Sequence, residues 1–194
     1  MKKLMFLCVV MGCVGGMMCG SIAMAADATY KGAKTCKMCH TKAEVGAQYT
    51  KWSEMGHSKA FKTLQSDAAK AVAKEKGIEG LPEAAPECLQ CHVTAYDVKT
   101  KAVPAKMEMT EGVQCEACHG PASNHMKDGM KFKKDPSIDM SQNIKRGDEK
   151  TCAQCHNDKS PTWDPKRYTK KDGTTTGFDF EAAMKKIAHP VPEK

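Results

Sequence analysis

The pentapeptide Cys-x-x-Cys-His occurs four times in this chain of 194 residues, as Cys36/Cys39/His40, Cys88/Cys91/His92, Cys115/Cys118/His119 and Cys152/Cys155/His156. Two thiols three positions apart share one face of a helical turn. There they can bond the two vinyl groups of one porphyrin, while the adjacent imidazole supplies a ligand to its iron. Cys-x-x-Cys alone also builds zinc sites and redox-active disulfides. Four copies, each followed at once by His, select covalent c-type attachment instead. The spacing therefore predicts four haem c groups, with His40, His92, His119 and His156 as proximal iron ligands.

The N-terminus predicts the compartment. Lys2 and Lys3 precede an apolar run from Leu4 to Met24, which ends in Ala23-Met24-Ala25 before Ala26. This is the pattern of a secretory signal over residues 1–25 with an A-x-A cleavage site. An uncleaved anchor would need a similar apolar length, but Gly12, Gly15, Gly16 and Gly20 and the cleavage motif favour removal. A lipobox at Val10 to Cys13 fits poorly because the apolar run continues beyond it. Of the 11 cysteines, Cys8, Cys13 and Cys19 fall in the signal and all the others are haem thiols, so no disulfide framework is expected. The expected location is the periplasm, or alternatively the outer surface or medium, with no stable membrane insertion after cleavage.

Residues 26–194 have a length that suits one domain, yet aromatics make up only 6% of the chain. A chain so poor in large apolar side chains is expected to wrap its cofactors rather than pack on itself, and to fold poorly without them. Caps and breakers predict a mainly α fold with long loops and little or no β. Thr41 with Glu44 reads as a capping box opening a helix through Tyr49 and Trp52. A second helix runs from Ser66 to a stop at Gly77, Gly80 to Pro86 is a loop, and Asp179 caps a last helix ending near Pro190. Nothing repeats between the motifs apart from the motifs themselves. The short interval between the second and third suggests that their haems are neighbours.

Seven histidines are present, and the four proximal ones leave His57, His125 and His189. Open sixth positions on haem iron make these three the expected distal ligands. His57 lies in an apolar stretch from Trp52 to Phe61, His125 follows a Gly-Pro turn that can swing it away from its own haem, and His189 stands near the C-terminus. Seven histidines cannot give four irons two each. One iron must take methionine, a lysine amine, water or nothing as its sixth ligand. Methionine would raise that haem's potential, but gap-filling beside a haem is the commoner role for this residue.

The four motifs, Trp52 to His57, the segment Gly112-Val-Gln-Cys-Glu-Ala-Cys-His-Gly-Pro121 with His125 beyond it, and the late His189 together resemble the cytochrome c-554 family of tetrahaem proteins. The resemblance implies three bis-His haems and one five-coordinate haem, the latter on His92 by the family's order. It further implies haem pairs stacked face to face and an electron-carrier role, including acceptance of electrons from a hydroxylamine-oxidising enzyme.

The formal charge of +7 falls by two on loss of Lys2 and Lys3. Four ferric haems with their propionates, at about −1 each, bring the holoprotein near neutrality. Nucleic acid is therefore not an expected partner. Lys131/Lys133/Lys134 and Lys166/Arg167/Lys170/Lys171 are candidates for docking acidic redox partners. No separate catalytic constellation stands out, so the leading expectation is an exported electron carrier between redox partners in a bacterial respiratory chain, including anaerobic respiration. Two alternatives share the same residues. One is reduction of nitric oxide, nitrite or a similar small molecule at an open haem. The other is a homo-oligomeric, conductive extracellular filament in which His189 reaches a neighbouring subunit.

Overall fold

The structure is a computed structural model that describes residues 28–189; the signal at 1–25 and the stop at Pro190 lie outside the described residues. Short helices dominate: α1 Ala33–His40, α2 Gln48–Glu54, α3 Ala60–Leu64, α4 Asp67–Glu75, α5 Pro86–His92, α6 Cys115–His119, α7 Ser123–Phe132, α8 Glu149–Ala153 and α9 Phe180–Ile187. Among the described residues the only sheet is a two-residue antiparallel hairpin, Tyr168–Thr169 (β1) with Thr175–Thr176 (β2). The chain is mainly helical with long connections, as its sequence predicts.

Most ends follow local chemistry. The Ser66 hydroxyl accepts the Ala69 N–H and starts α4, and Gly77, at φ 67°, reverses the chain after it. Pro86 opens α5, where its missing N–H costs nothing. Thr41 departs from expectation. The helix of the first motif runs through His40, which puts Thr41 at its C-terminus with its hydroxyl donating to the Lys37 carbonyl at 2.7 Å. Gly46 and Ala47 then turn left-handed, and the helix bearing Tyr49 and Trp52 starts only at Gln48. The Asp179 carboxylate accepts the Ala182 N–H and caps α9 as expected. Asp179→Ala should cost about 1 kcal/mol, seen as a lower thermal midpoint of the holoprotein.

The core is small. Leu64, Leu89 and Val93 form its centre, with Phe61, Cys88, Tyr96, Val103 and Met109 packed around them, so α3 and α5 are clamped together. Of the three largest fully buried side chains, Leu89, Gln114 and Pro82, only Leu89 is an ordinary apolar core residue. A protein with so little aliphatic interior needs other apolar surface to hold it, and four porphyrins would supply that surface.

Polar ties made by the segment just before and within α6 connect the motifs. Val113 N–H donates to the His57 carbonyl and Val113 C=O accepts the Trp52 indole N–H, both at 2.9 Å. The Gln114 amide oxygen accepts the Ala33 N–H at 2.7 Å, at the start of α1. Thr94, two residues beyond His92, receives the Gln114 N–H on its hydroxyl at 2.6 Å and donates its own N–H to Gly112 C=O at 3.1 Å. Gly112 has φ 66°, and a Cβ there would meet the His57 carbonyl oxygen at 2.7 Å. Glycine is needed at this position for both reasons.

Candidate haem sites

Each motif sits at a helix end. Motifs one and two close α1 and α5, motif three is the whole of α6, and motif four begins in α8 and continues through the helical His156 N–H to Cys152 C=O bond of 2.9 Å. The paired cysteines therefore share a face, with the histidine one step further round.

Three of the motif histidine rings are held through Nδ1. It faces the Gln48 amide oxygen at 3.1 Å in His40, the Ala60 carbonyl at 2.8 Å in His92 and the Lys145 carbonyl at 2.7 Å in His119. A carbonyl oxygen only accepts, so Nδ1 carries the proton and Nε2 presents its lone pair outward, the form an iron ligand needs. The Gln48 amide is oriented in turn by donation to the Val45 carbonyl. His189 has the same arrangement, with Nδ1 facing the Ile187 carbonyl at 2.8 Å. Burial pushes the imidazoles of His57, His119, His125 and His156 below their ordinary pKa, which favours the neutral ligand form.

The structure brings each of the three remaining histidines to one motif histidine. His125 faces His40 with ring centres 6.1 Å apart, His57 faces His156 at 6.1 Å, and His189 faces His119 at 5.9 Å. Two imidazoles sharing one metal at about 2 Å per bond, with ~1.2 Å from ring centre to nitrogen, have centres roughly 6.4 Å apart. The three separations fit that requirement. They are too long for rings in face-to-face contact, and the interplanar angles of 18°, 67° and 76° differ freely, as rotation about a shared axis permits. The His125 Nδ1 is buried without a hydrogen bond of good geometry, although it lies beside the Met140 carbonyl. His92 has no facing imidazole.

Among the described residues the cysteines form no disulfide, and four of them fall into two cross-motif pairs: Cys36 with Cys115, and Cys91 with Cys155, each within hydrogen-bonding reach. Cys118 in turn lies near enough to Cys152 for their charges to interact. The attachment points of motifs one and three are thus adjacent, as are those of two and four, with three beside four. Sequence spacing suggested two and three instead; spacing along the chain does not measure distance when α1 packs directly on α6. Among the described residues no group of three or more His, Cys, Asp or Glu forms a metal cage.

Several supporting residues gave no sequence signal. Phe178 stacks on His156 with ring centres 4.8 Å apart. It also lines a cavity of about 710 Å³ whose walls carry Lys170, Lys171, Lys185 and Lys186 together with the carboxylates of Glu149, Asp172, Asp179 and Glu181. Gln48, Ala60 and Lys145 act through a side-chain or backbone oxygen that any polar or small residue could have brought there. Glu116, a carboxylate inside a haem motif and 2% exposed, could have been noticed as an anion where the other motifs carry none.

The helical fold and these motifs define a multihaem c-type cytochrome with covalent haem c. Residues 35–120, which hold the first three motifs, match the family described as cytochrome c554 and c-prime. Cytochrome c-554 of Nitrosomonas europaea is 31% identical over 149 residues, covering 69% of this chain and 60% of that protein. The multiheme cytochrome MtrA of Shewanella baltica is 29% identical over 121 residues, covering 56% of this chain and 35% of MtrA. The solved reduced state of cytochrome c554 from Nitrosomonas europaea aligns with 83% of this chain and 79% of its own, at 26% identity and a TM-score of 0.45. The family match and the Nitrosomonas europaea relative support the cytochrome c-554 family for this chain.

Proposed function

We propose that residues 26–194 form one exported tetrahaem domain, freed of the signal at 1–25, that carries electrons in the periplasm between partners of a respiratory chain. In this reading all eight motif cysteines are thioethers, and three irons are ligated by His40/His125, His156/His57 and His119/His189. The observation that carries it is the set of three facing imidazole pairs, with His92 left over. Bound haem supplies a reversible one-electron ferric/ferrous couple. The chain's own residues hold and orient. Cysteine pairs fix each site on a helix end, Gln48, Ala60 and Lys145 set ring tautomers, and the cysteine neighbours 1–3, 3–4 and 2–4 arrange the sites in one series. Lys133 and Lys134 remain exposed for docking an acidic partner, while Lys131 is paired to Asp128 at 3.2 Å. No helix among the described residues is long and apolar enough to cross a membrane.

Mass spectrometry of the native protein should show four haems and thiol titration no free cysteine. Electron paramagnetic resonance of the oxidised protein should count three bis-imidazole irons and one of different ligation. Three haems with two free thiols, or four bis-imidazole irons, would overturn the proposal. The unpaired His92 also favours a second reading, in which its iron binds and reduces a small molecule such as nitric oxide or nitrite. Rapid carbon monoxide binding to one haem of the reduced protein, followed by turnover of nitrite or nitric oxide, would establish it. His189 faces His119 of its own chain, so the filament reading gains nothing from that residue.

A further inference from the structure

Glu116 is a buried carboxylate whose partners are all backbone N–H groups. Its two oxygens accept from Lys31 at 3.0 Å each, one accepts from Gly32 at 2.8 Å and the other from Ala122 at 2.8 Å. Every one of these contacts is a donor aimed at a lone pair, a set that an acceptor-only ionised carboxylate satisfies. No lysine or arginine of the described residues forms an ion pair with it. The charge is therefore compensated by dipoles alone, and its field is not cancelled.

Its position is specific. Glu116 follows Cys115 in the third motif, and its oxygens hold Lys31 and Gly32 at the entry to α1. The Gly32 carbonyl is in turn the acceptor of the Cys36 thiol at 3.6 Å. The carboxylate lies close enough to the sulfur positions of both Cys36 and Cys115 to act on them electrostatically. Cys36 and Cys115 also contact each other, so the carboxylate lies where the attachment sites of two haems meet.

We propose that Glu116 is the positioning and potential-setting residue of the haem pair held by the first and third motifs: it docks α1 onto α6 and lowers the reduction potentials of both haems. The sign follows from charge. Oxidation leaves one more positive charge on each haem, and a fixed buried anion nearby stabilises that state. The pair thereby becomes the low-potential end of the series, and electrons run from it toward the second and fourth sites. The inference rests on the tetrahaem reading above.

The test is spectroelectrochemistry of holoprotein Glu116→Gln, with haem content measured by mass on the same sample. A glutamine keeps the shape but removes the charge, and turns an NH₂ toward a backbone donor. Two of the four potentials should rise, the other two should stay within error, and the thermal midpoint should fall. Glu116→Asp, which keeps the charge and loses reach, should lower the midpoint without that rise. Four haems with unmoved potentials in Glu116→Gln would overturn the proposal, whereas a count other than four would instead overturn the tetrahaem reading. If Glu116→Gln does not assemble, redox-difference infrared spectra of wild-type protein labelled with ¹³C-glutamate decide the matter. A labelled carboxylate band that titrates with the two lowest-potential haems sustains the proposal, and the absence of such a band refutes it.

Discussion

His125→Ala will convert one haem, that of Cys36/Cys39/His40, from low-spin to high-spin or water-ligated and leave the other three unchanged. His125 faces His40 at 6.1 Å between ring centres, and loss of a strong-field axial imidazole changes the spin state of the iron outright. His57→Ala should do the same at the His156 site and His189→Ala at the His119 site. Paramagnetic resonance counts the irons, and combination assigns them. In protein lacking the first haem altogether (Cys36→Ala, Cys39→Ala, His40→Ala), adding His125→Ala should produce no new high-spin iron, while adding His57→Ala should still produce one. An additional high-spin iron in the first combination would break the His40/His125 pairing.

Gly112→Ala should be strongly damaging. The new Cβ would lie 2.7 Å from the His57 carbonyl oxygen, 3.2 Å from the Ala60 nitrogen and 3.3 Å from the Phe61 nitrogen. All three are backbone atoms that cannot swing aside. The left-handed φ of 66° adds strain of its own, so a loss of about 2–5 kcal/mol is expected from strain and overpacking together. Two haem sites should report it. His57 would be pushed from His156, and Ala60, whose carbonyl holds His92 Nδ1 at 2.8 Å, would shift with it. Denaturant unfolding should show the lower stability, and resonance spectra should show heterogeneous ligation at the His156 site. Wild-type unfolding together with a wild-type spectrum would mean that the turn at Gly112 relaxes without reaching His57.

The attachment motifs could be read directly from sequence because their chemistry is local: two thiols and an imidazole within five residues need only one helical turn. Caps at Ser66 and Asp179 were readable for the same reason, since a side chain three residues from its N–H partner needs nothing beyond that turn. Thr41 misled because the same capping pattern lies at the end of a helix that the haem motif itself extends. Which histidine faces which was not readable. Composition set the number of imidazoles, but partner choice depends on how α7 and α9 return to α1 and α6, and those paths are set by long-range bonds such as Thr29 N–H to the Ser123 hydroxyl at 2.9 Å, at the start of α7. His189 shows the limit most clearly: its place near the C-terminus named no partner, and the capped α9 delivers it to His119.

The facing pairs also dictate how this chain can be cut, grafted or shortened. Each pair joins residues from distant parts of the sequence, and the three spans overlap like links of a chain: His57 to His156 starts inside His40 to His125, and His119 to His189 starts inside both. A fragment ending at residue 120 would keep three complete attachment motifs and not one complete facing pair. A haem bound there could be fastened but not enclosed on both sides. Ligation in this molecule is therefore a property of the whole chain, and a minimal working piece of it has to extend from the first motif to His189.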